Sequence, residues 1–131
     1  MLVRIIYASE ASQKIDVPMI RAILEKAQEN NERNDLTGML VFNSRYFLQA
    51  IEGCPQRINA LYRTLMVDPR HRNLFILGYE HVTERMYGEW RMNYATLNEA
   101  NKRAFLKYSP SSQFDPYQLT AENALRFMND L

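Results

Sequence analysis

Tyr7 and Gln49 are the two residues whose types and placement point to chemistry. Tyr7 lies in the apolar run Leu2-Val3-Arg4-Ile5-Ile6-Tyr7-Ala8, and Gln49 in Tyr46-Phe47-Leu48-Gln49-Ala50-Ile51-Glu52. A strand sends residues i, i+2 and i+4 to one face. Val3, Ile5 and Tyr7 therefore share a face that excludes the charged Arg4. Gln49 lies between Phe47 and Ile51, opposite the face that carries Glu52. Both polar side chains are thus aimed at a core. A buried amide costs free energy unless its donors and acceptors are met, and a buried phenol needs a partner too. A Tyr–Gln pair answers both needs, and a polar ligand can complete the network.

The elements that must position this pair follow from pattern and punctuation. A first strand covers about Leu2 to Ala8, followed by a polar loop from Ser9 to Ile15. Asp16 can cap a helix with Pro18 in its first turn. Val17, Ile20, Ile23, Leu24, Ala27 and Asn31 recur near helical spacing, and this helix should end around Asn30-Asn31. Leu36 to Phe42 reads as a second strand, Asn43-Ser44-Arg45 as a hairpin turn, and the Gln49 strand follows. Gly53-Cys54-Pro55 breaks it and starts a second helix with the stripe Ile58, Leu61, Tyr62, Leu65, which Asp68-Pro69 stops. Leu74 to Val82 and Arg91 to Leu97 are the fourth and fifth strands. The order βαββαββ predicts an α+β, ferredoxin-like sandwich: a five-stranded mixed sheet with both helices on one face. Beyond Leu97 the character changes. Asn98 to Tyr108 is a short helical segment, 109–116 a break, and Thr120 caps a last helix with Ala121, Ala124, Leu125, Met128 and Leu131 on one side. These C-terminal helices divide the chain into a sandwich unit, 1–97, and an extension, 98–131. The extension either packs on the open face of the sheet or serves as a transmission or docking element.

Composition narrows the class. With 131 residues there is room for one real core. Net charge is +1, too weak a field to imply nucleic acid or an anionic membrane surface. No apolar run is long enough to span a bilayer, and the N-terminus lacks the parts of a signal peptide. Cys54 is the only cysteine, so no internal disulfide can form, and a cytoplasmic setting is expected. Neither a Ser-His-Asp set, nor a metal-ligand cluster around His71 or His81, nor a phosphate-cradling Gly loop is evident.

In order along the chain, five segments resemble the BLUF family of flavin-binding blue-light sensors. Arg4-Ile5-Ile6-Tyr7-Ala8-Ser9 is similar to its opening strand. Asn30-Asn31 with Leu36-Thr37-Gly38-Met39-Leu40 is similar to its helix end and second strand. Phe47-Leu48-Gln49-Ala50-Ile51-Glu52-Gly53 is close to its most specific motif. Asp68-Pro69-Arg70-His71 and Trp90-Arg91-Met92 complete the set. Each is weak alone, and taken singly the Asn pair reads as helix capping, Arg70 and His71 as partners of a helix dipole, and Trp90 and Met92 as alternating core residues. Leu36 and Ser44 are mild departures from the family pattern.

The resemblance implies that a flavin ring inserts between the two helices, with FAD the usual choice and FMN or riboflavin possible. By this resemblance Asn31 serves the N3–H and C4=O edge with help from Asn30, Arg70 donates to C2=O, His71 packs against the ring, and Ile23, Leu24, Leu40 and Phe47 form apolar walls. It further implies that blue light makes Tyr7 an electron and proton donor and that Gln49 then rotates or tautomerises, giving a small red shift. Met92 and Trp90, on one face of the fifth strand, would relay the change to the C-terminal helices. With no output domain expected, the signal would pass to a separate signalling protein or change a homo-oligomer. The protein would be a sensor rather than an enzyme. Two other readings stand beside this one: a non-photoactive ligand-binding or oligomerising module, and an acylphosphatase-like hydrolase. The second is disfavoured because the Ser9-to-Lys14 loop has neither Gly nor Arg and carries Glu10.

Overall fold

The computed structural model describes residues 1–98, 101–109 and 113–131. The chain runs β1 (Leu2–Ala11), α1 (Val17–Arg33), β2 (Thr37–Phe42), β3 (Tyr46–Gly53), α2 (Pro55–Met66), β4 (His71–Val82) and β5 (Asn93–Thr96). It continues through α3 (Lys102–Leu106), a 3-10 turn at Pro116–Gln118 and α4 (Ala121–Asn129). The sheet order is β4-β1-β3-β2-β5. β1 pairs antiparallel with β3 and β4, β2 pairs antiparallel with β3, and β5 lies parallel to β2. Each helical crossover therefore straddles one strand, which is the expected ferredoxin-like arrangement with a fifth strand added beside β2. No helix among the described residues is long and apolar enough to cross a membrane.

Local chemistry sets the element ends. The Asp16 carboxylate accepts from the Met19 N–H at 2.9 Å and Pro18 sits in the first turn, so α1 starts where expected. It ends later than expected, at Arg33 rather than Asn30-Asn31. Asp35 adopts a left-handed φ of 53°, and the Leu36 N–H returns to the Asn31 carbonyl at 2.9 Å. This is a six-to-one C-terminal closure with the buried Leu36 as its apolar contact. Asn30 and Asn31 thus lie inside the last turn and project from the helix instead of capping it. Val17, expected on the apolar stripe of α1, is exposed. The β2–β3 turn is held by the Asn43 side-chain oxygen, which accepts from the Arg45 and Tyr46 N–H groups at 2.9 and 2.7 Å.

Both faces of the sheet are covered. On one face Val3, Ile5, Tyr7 and Ile51 pack under α2, and Leu40 and Phe47 under α1. On the other, Ile6, Met39, Val41, Leu48 and Ala50 share an apolar cluster with Phe105, Phe114, Leu119, Ala124, Phe127 and Met128. The C-terminal segment therefore closes the open face of the sheet. Thr120 caps α4, accepting from the Asn123 N–H. The buried side of α4 is Ala124, Phe127 and Met128, whereas Leu131, expected on that side, is exposed. The expected helix at Asn98 to Tyr108 shortens to α3. Glu99 and Ala100 in that segment, and Pro110, Ser111 and Ser112 in the expected break, lie outside the described residues.

The second face also buries a charge. Glu52 is fully buried and accepts from Arg4 Nε at 3.0 Å, Thr37 Oγ1 at 3.0 Å, and the Met86 and Tyr87 N–H groups at 2.7 and 2.9 Å. Removing the carboxylate leaves Arg4 buried beside two unmet backbone donors, which costs roughly 3 kcal/mol or more. Glu52→Ala is thus expected to lower the urea unfolding midpoint steeply. An unchanged midpoint would show that water replaces the carboxylate without penalty.

Candidate functional site

The helix-covered face contains a cleft of about 500 Å³ between α1 and α2. Its floor is Tyr7 on β1, Leu40 on β2, and Phe47, Gln49 and Ile51 on β3; its walls are Ile23 and Ala27 of α1 and Leu61 and Leu65 of α2. Asn30, Asn31, Arg70 and His71 bring polar groups to the same space. A mostly apolar slot with a few convergent polar groups, at this volume, suits a flat conjugated ligand.

Tyr7 and Gln49 meet because β1 and β3 place them directly opposite each other in register. The Tyr7 hydroxyl donates to Gln49 Oε1, both residues being buried. Gln49 Nε2 faces the Met92 sulfur at 3.5 Å. Burial pushes the Tyr7 phenol far above its ordinary range, with the neighbouring Tyr62 and Asp68 adding to the effect. Tyr62 meets the Tyr7 ring edge-on, with centroids 6.2 Å apart.

The remaining polar groups are positioned by the backbone around the cleft. Asn31 is buried at the end of α1, and its Nδ2 donates to the Arg91 carbonyl at 2.5 Å. Among the described residues its side-chain oxygen takes no donor, which leaves an acceptor for a ligand N–H. Arg70 folds back on Asp68, with Nη2 at 2.7 Å from the carboxylate. That guanidinium bonding holds the Asp68 carboxyl below its usual range. His71 contacts Ser9 Oγ at 3.0 Å through Nδ1 and the Leu65 carbonyl at 2.7 Å through Nε2. A carbonyl only accepts, so Nε2 carries the hydrogen. The ring, edge-on to Phe47, is what His71 offers the cleft.

Two expectations are corrected. Leu24 does not line the cleft; it is buried beside it in a cluster with Leu40, Phe42 and Met92. Met92 and Trp90 do not share a strand face, because β5 begins at Asn93. The carbonyls of residues 90–92 accept instead from the Gly38 N–H at 3.2 Å, Asn31 Nδ2 at 2.5 Å and Gln28 Nε2 at 3.3 Å. Trp90 consequently stands 43 % exposed outside the cleft, while Met92 is buried against Gln49. Arg70 lines the cleft as expected, with part of its guanidinium bonded to Asp68. Sequence reasoning missed Leu61, Leu65, Lys26, Arg33 and Arg57 at the cleft. The α2 stripe was visible as a pattern, but only the packed helices show that part of it faces the slot. No cluster of three His, Cys, Asp or Glu side chains among the described residues could hold a metal ion.

An α+β sandwich whose two helices enclose a slot floored by a Tyr–Gln pair defines a small-ligand-binding module. Residues 2–93 match the family described as BLUF, sensors of blue-light using FAD, and the chain belongs to that family. It is 30 % identical over 128 residues to the blue light- and temperature-regulated antirepressor BluF of Escherichia coli (strain K12), covering 97 % of this chain and 32 % of that protein. It is 30 % identical over 100 residues to the photoactivated adenylate cyclase subunit alpha of Euglena gracilis, covering 76 % of this chain and 10 % of that one. The chain thus spans a third or less of these curated relatives. Among solved structures, BlsA in its photo-activated state superposes with a TM-score of 0.90 at 29 % identity, over 100 % of this chain and 94 % of that one. The BlsA ground state gives 0.89 at 30 % identity, over 100 % and 87 %.

The buried phenols give a pH signature. Burial also pushes Tyr87 up to about 12. In the unfolded chain both Tyr7 and Tyr87 ionise near pH 10. Their raised folded values therefore contribute stability that is intact below about pH 10 and lost as pH rises through the folded values. The thermal midpoint should fall above that pH, and Tyr7→Phe should flatten the decline; an identical slope in that variant would place Tyr7 in contact with solvent.

Proposed function

We propose that the chain is a blue-light photoreceptor in which Tyr7 and Gln49 form the switch and Met92 the first relay. The observation that carries the reading is the asymmetric bonding of one buried amide: Gln49 presents its oxygen to Tyr7 and its nitrogen to a sulfur. Under this reading a bound flavin supplies the absorption of blue light and an acceptor for one electron. Asn31 and Asn30 would hold its polar edge and Arg70 would offer its remaining donors. His71, Ile23, Leu40 and Phe47 would form the walls.

The chain's own residues then act in sequence. Tyr7 stays a neutral phenol in the dark because its burial disfavours the charged form. Loss of an electron makes a phenol strongly acidic, and Gln49 Oε1 is the acceptor at its hydroxyl. The electron and the proton then return to Tyr7, and the Gln49 amide is left rotated, with its nitrogen turned to Tyr7 and its oxygen to Met92. A sulfur is only a weak acceptor, so little is lost with that bond. A carbonyl oxygen against the sulfur is a contact between two acceptors, which biases Met92 to move. The two arrangements then differ by roughly a few kcal/mol, as a reversible switch requires.

Met92 passes the change into β5, whose end is tied to β2 by the Leu97 N–H and the Phe42 carbonyl at 2.8 Å. From there the chain enters the C-terminal helices on the far face of the sheet. Output through a separate signalling protein is supported by the light-regulated antirepressor among the relatives. Trp90 lies outside the cleft in this arrangement and would enter only if Met92 left.

The test is the visible absorption spectrum of the purified protein before and after blue light. A flavin spectrum with a small, reversible red shift is expected. Gln49→Leu should keep the flavin and lose the shift, because Leu has no groups to exchange. Tyr7→Phe should lose the switching while flavin stays bound. A normal shift in Gln49→Leu would overturn the amide mechanism, and a colourless protein that refuses added flavin would overturn the photoreceptor reading.

A further inference from the structure

Tyr7 has an aromatic neighbour that the switch does not use. Tyr62 stands on the inner stripe of α2 with Ile58, Leu61 and Leu65 and packs on the cluster that holds Val3, Ile5, Tyr7 and Ile51. Its ring meets the Tyr7 ring edge-on, with centroids 6.2 Å apart and planes at 74°. Among the described residues it is the one ring in contact with Tyr7. Edge-on aromatic pairs are ordinary core packing. What sets this pair apart is where its two members lie. Tyr7 is buried and lines the cleft, whereas Tyr62 does not line it and is half-exposed. The two phenols therefore form a row that leads from the floor of the cleft to solvent.

The two hydroxyls differ in where a proton can go. The Tyr7 hydroxyl donates to Gln49 Oε1. An amide oxygen accepts a hydrogen bond well but is a very weak base, so a proton passed to it returns readily. No hydrogen bond ties the Tyr62 hydroxyl to another described residue, and at the half-exposed side of α2 it meets water, which carries a proton away. Partial burial raises Tyr62 above the ordinary phenol range, so it too is a neutral phenol at pH 7. A phenol that loses an electron is stabilised by losing its proton as well. Of the two, Tyr62 is thus the easier to leave oxidised. Phe47 and His71, the other rings at the cleft, are far harder to oxidise than a phenol, and Trp90 stands outside it.

We infer that Tyr62 is an electron relay that refills Tyr7 and carries the radical to the protein surface. The inference rests on the reading that the cleft holds a flavin and that Tyr7 is its electron donor. While Tyr7 lacks its electron and Gln49 holds its proton, one electron passes from the Tyr62 ring to the Tyr7 ring. The proton returns from Gln49 to Tyr7, the Tyr62 proton leaves to water, and the bound ligand keeps the electron it took. Tyr7 is then an intact phenol and Tyr62 a neutral phenoxyl radical. This branch competes with direct return of the electron to Tyr7 and lengthens the separation of charge.

The experiment illuminates the flavin-loaded protein with blue light under argon, in the presence of a water-soluble nitroso spin trap, and maps the adducts by peptide mass. The trap forms a carbon–nitrogen bond to an exposed ring radical, and the ligand, left with its extra electron, loses visible absorption. An adduct at Tyr62 is expected, with none at the buried Tyr7. Tyr7→Phe should lose the Tyr62 adduct, because the row is broken at its first member. Tyr62→Phe keeps the edge-on ring and removes only the hydroxyl; it should keep flavin bound, lose the adduct and slow the bleaching several-fold. A reversible red shift with no adduct at Tyr62 in the unaltered protein would overturn the relay while leaving the photoreceptor reading intact, as would a Tyr62 adduct that persists in Tyr7→Phe. A protein that takes up no flavin would overturn the relay and the photoreceptor reading together.

Discussion

The buried carboxylate of Glu52 is the contact on which the arrangement of the site depends. It lies on β3 three residues from Gln49 and, by strand alternation, on the opposite face. It draws donors from β1 through Arg4, from β2 through Thr37, and from the loop after β4 through the N–H groups of Met86 and Tyr87. An unpaired charge at that depth is costly, so all these partners must be in place together. The loop they anchor leads to Met92, whose sulfur meets Gln49 on the other face. One side of β3 thus fixes the path of the chain that the other side reads. A slip of one residue in the pairing of β3 would expel Gln49 from the cleft and bury Glu52 in it, so the register is specified from both faces at once.

Much of this was legible in the sequence. The alternation around Tyr7 and Gln49 sufficed to aim both at a core, and a shared face on neighbouring strands became direct opposition in register. The caps at Asp16 and Thr120, the hairpin at Asn43 and the crossover order were readable because their causes are local. What stayed hidden depended on distant partners. Glu52 reads as the solvent side of a half-buried strand until the C-terminal helices and the loop after β4 cover that face. Trp90-Arg91-Met92 alternates like a strand, yet side chains of α1 take two of its carbonyls and so keep it out of the ladder. Asp35 in a left-handed conformation closes α1 just past the point where two asparagines suggested an end.

The C-terminal segment plays a structural part that its composition understates. It supplies Phe105, Phe114 and Phe127, with Phe105 packed edge to face against the other two within one cluster on the sheet. It also reports on the loop network, since the Tyr87 hydroxyl donates to the Asn129 side chain at 3.1 Å near the end of α4. At Gly78 on β4 a side chain would meet Ala121 of α4 at 2.7 Å, so the helix is seated directly on backbone. Such close seating lets a small shift in the sheet be felt by α4 without a long lever.

The placement of β5 has a consequence for how the molecule comes apart. It is four residues long, lies at an edge, and pairs in parallel with β2, from which it is separated by the whole of β3, α2 and β4. Pairing across so much chain carries a high loop-closure cost, and its four paired positions, the fewest between any two strands of the sheet, return little for it. β5 is therefore placed to be the last strand to zip up during folding and the first to open in the native state. The element immediately after Met92 is the softest part of an otherwise doubly covered sheet. The molecule is most yielding along the proposed path from Met92 to the C-terminal helices.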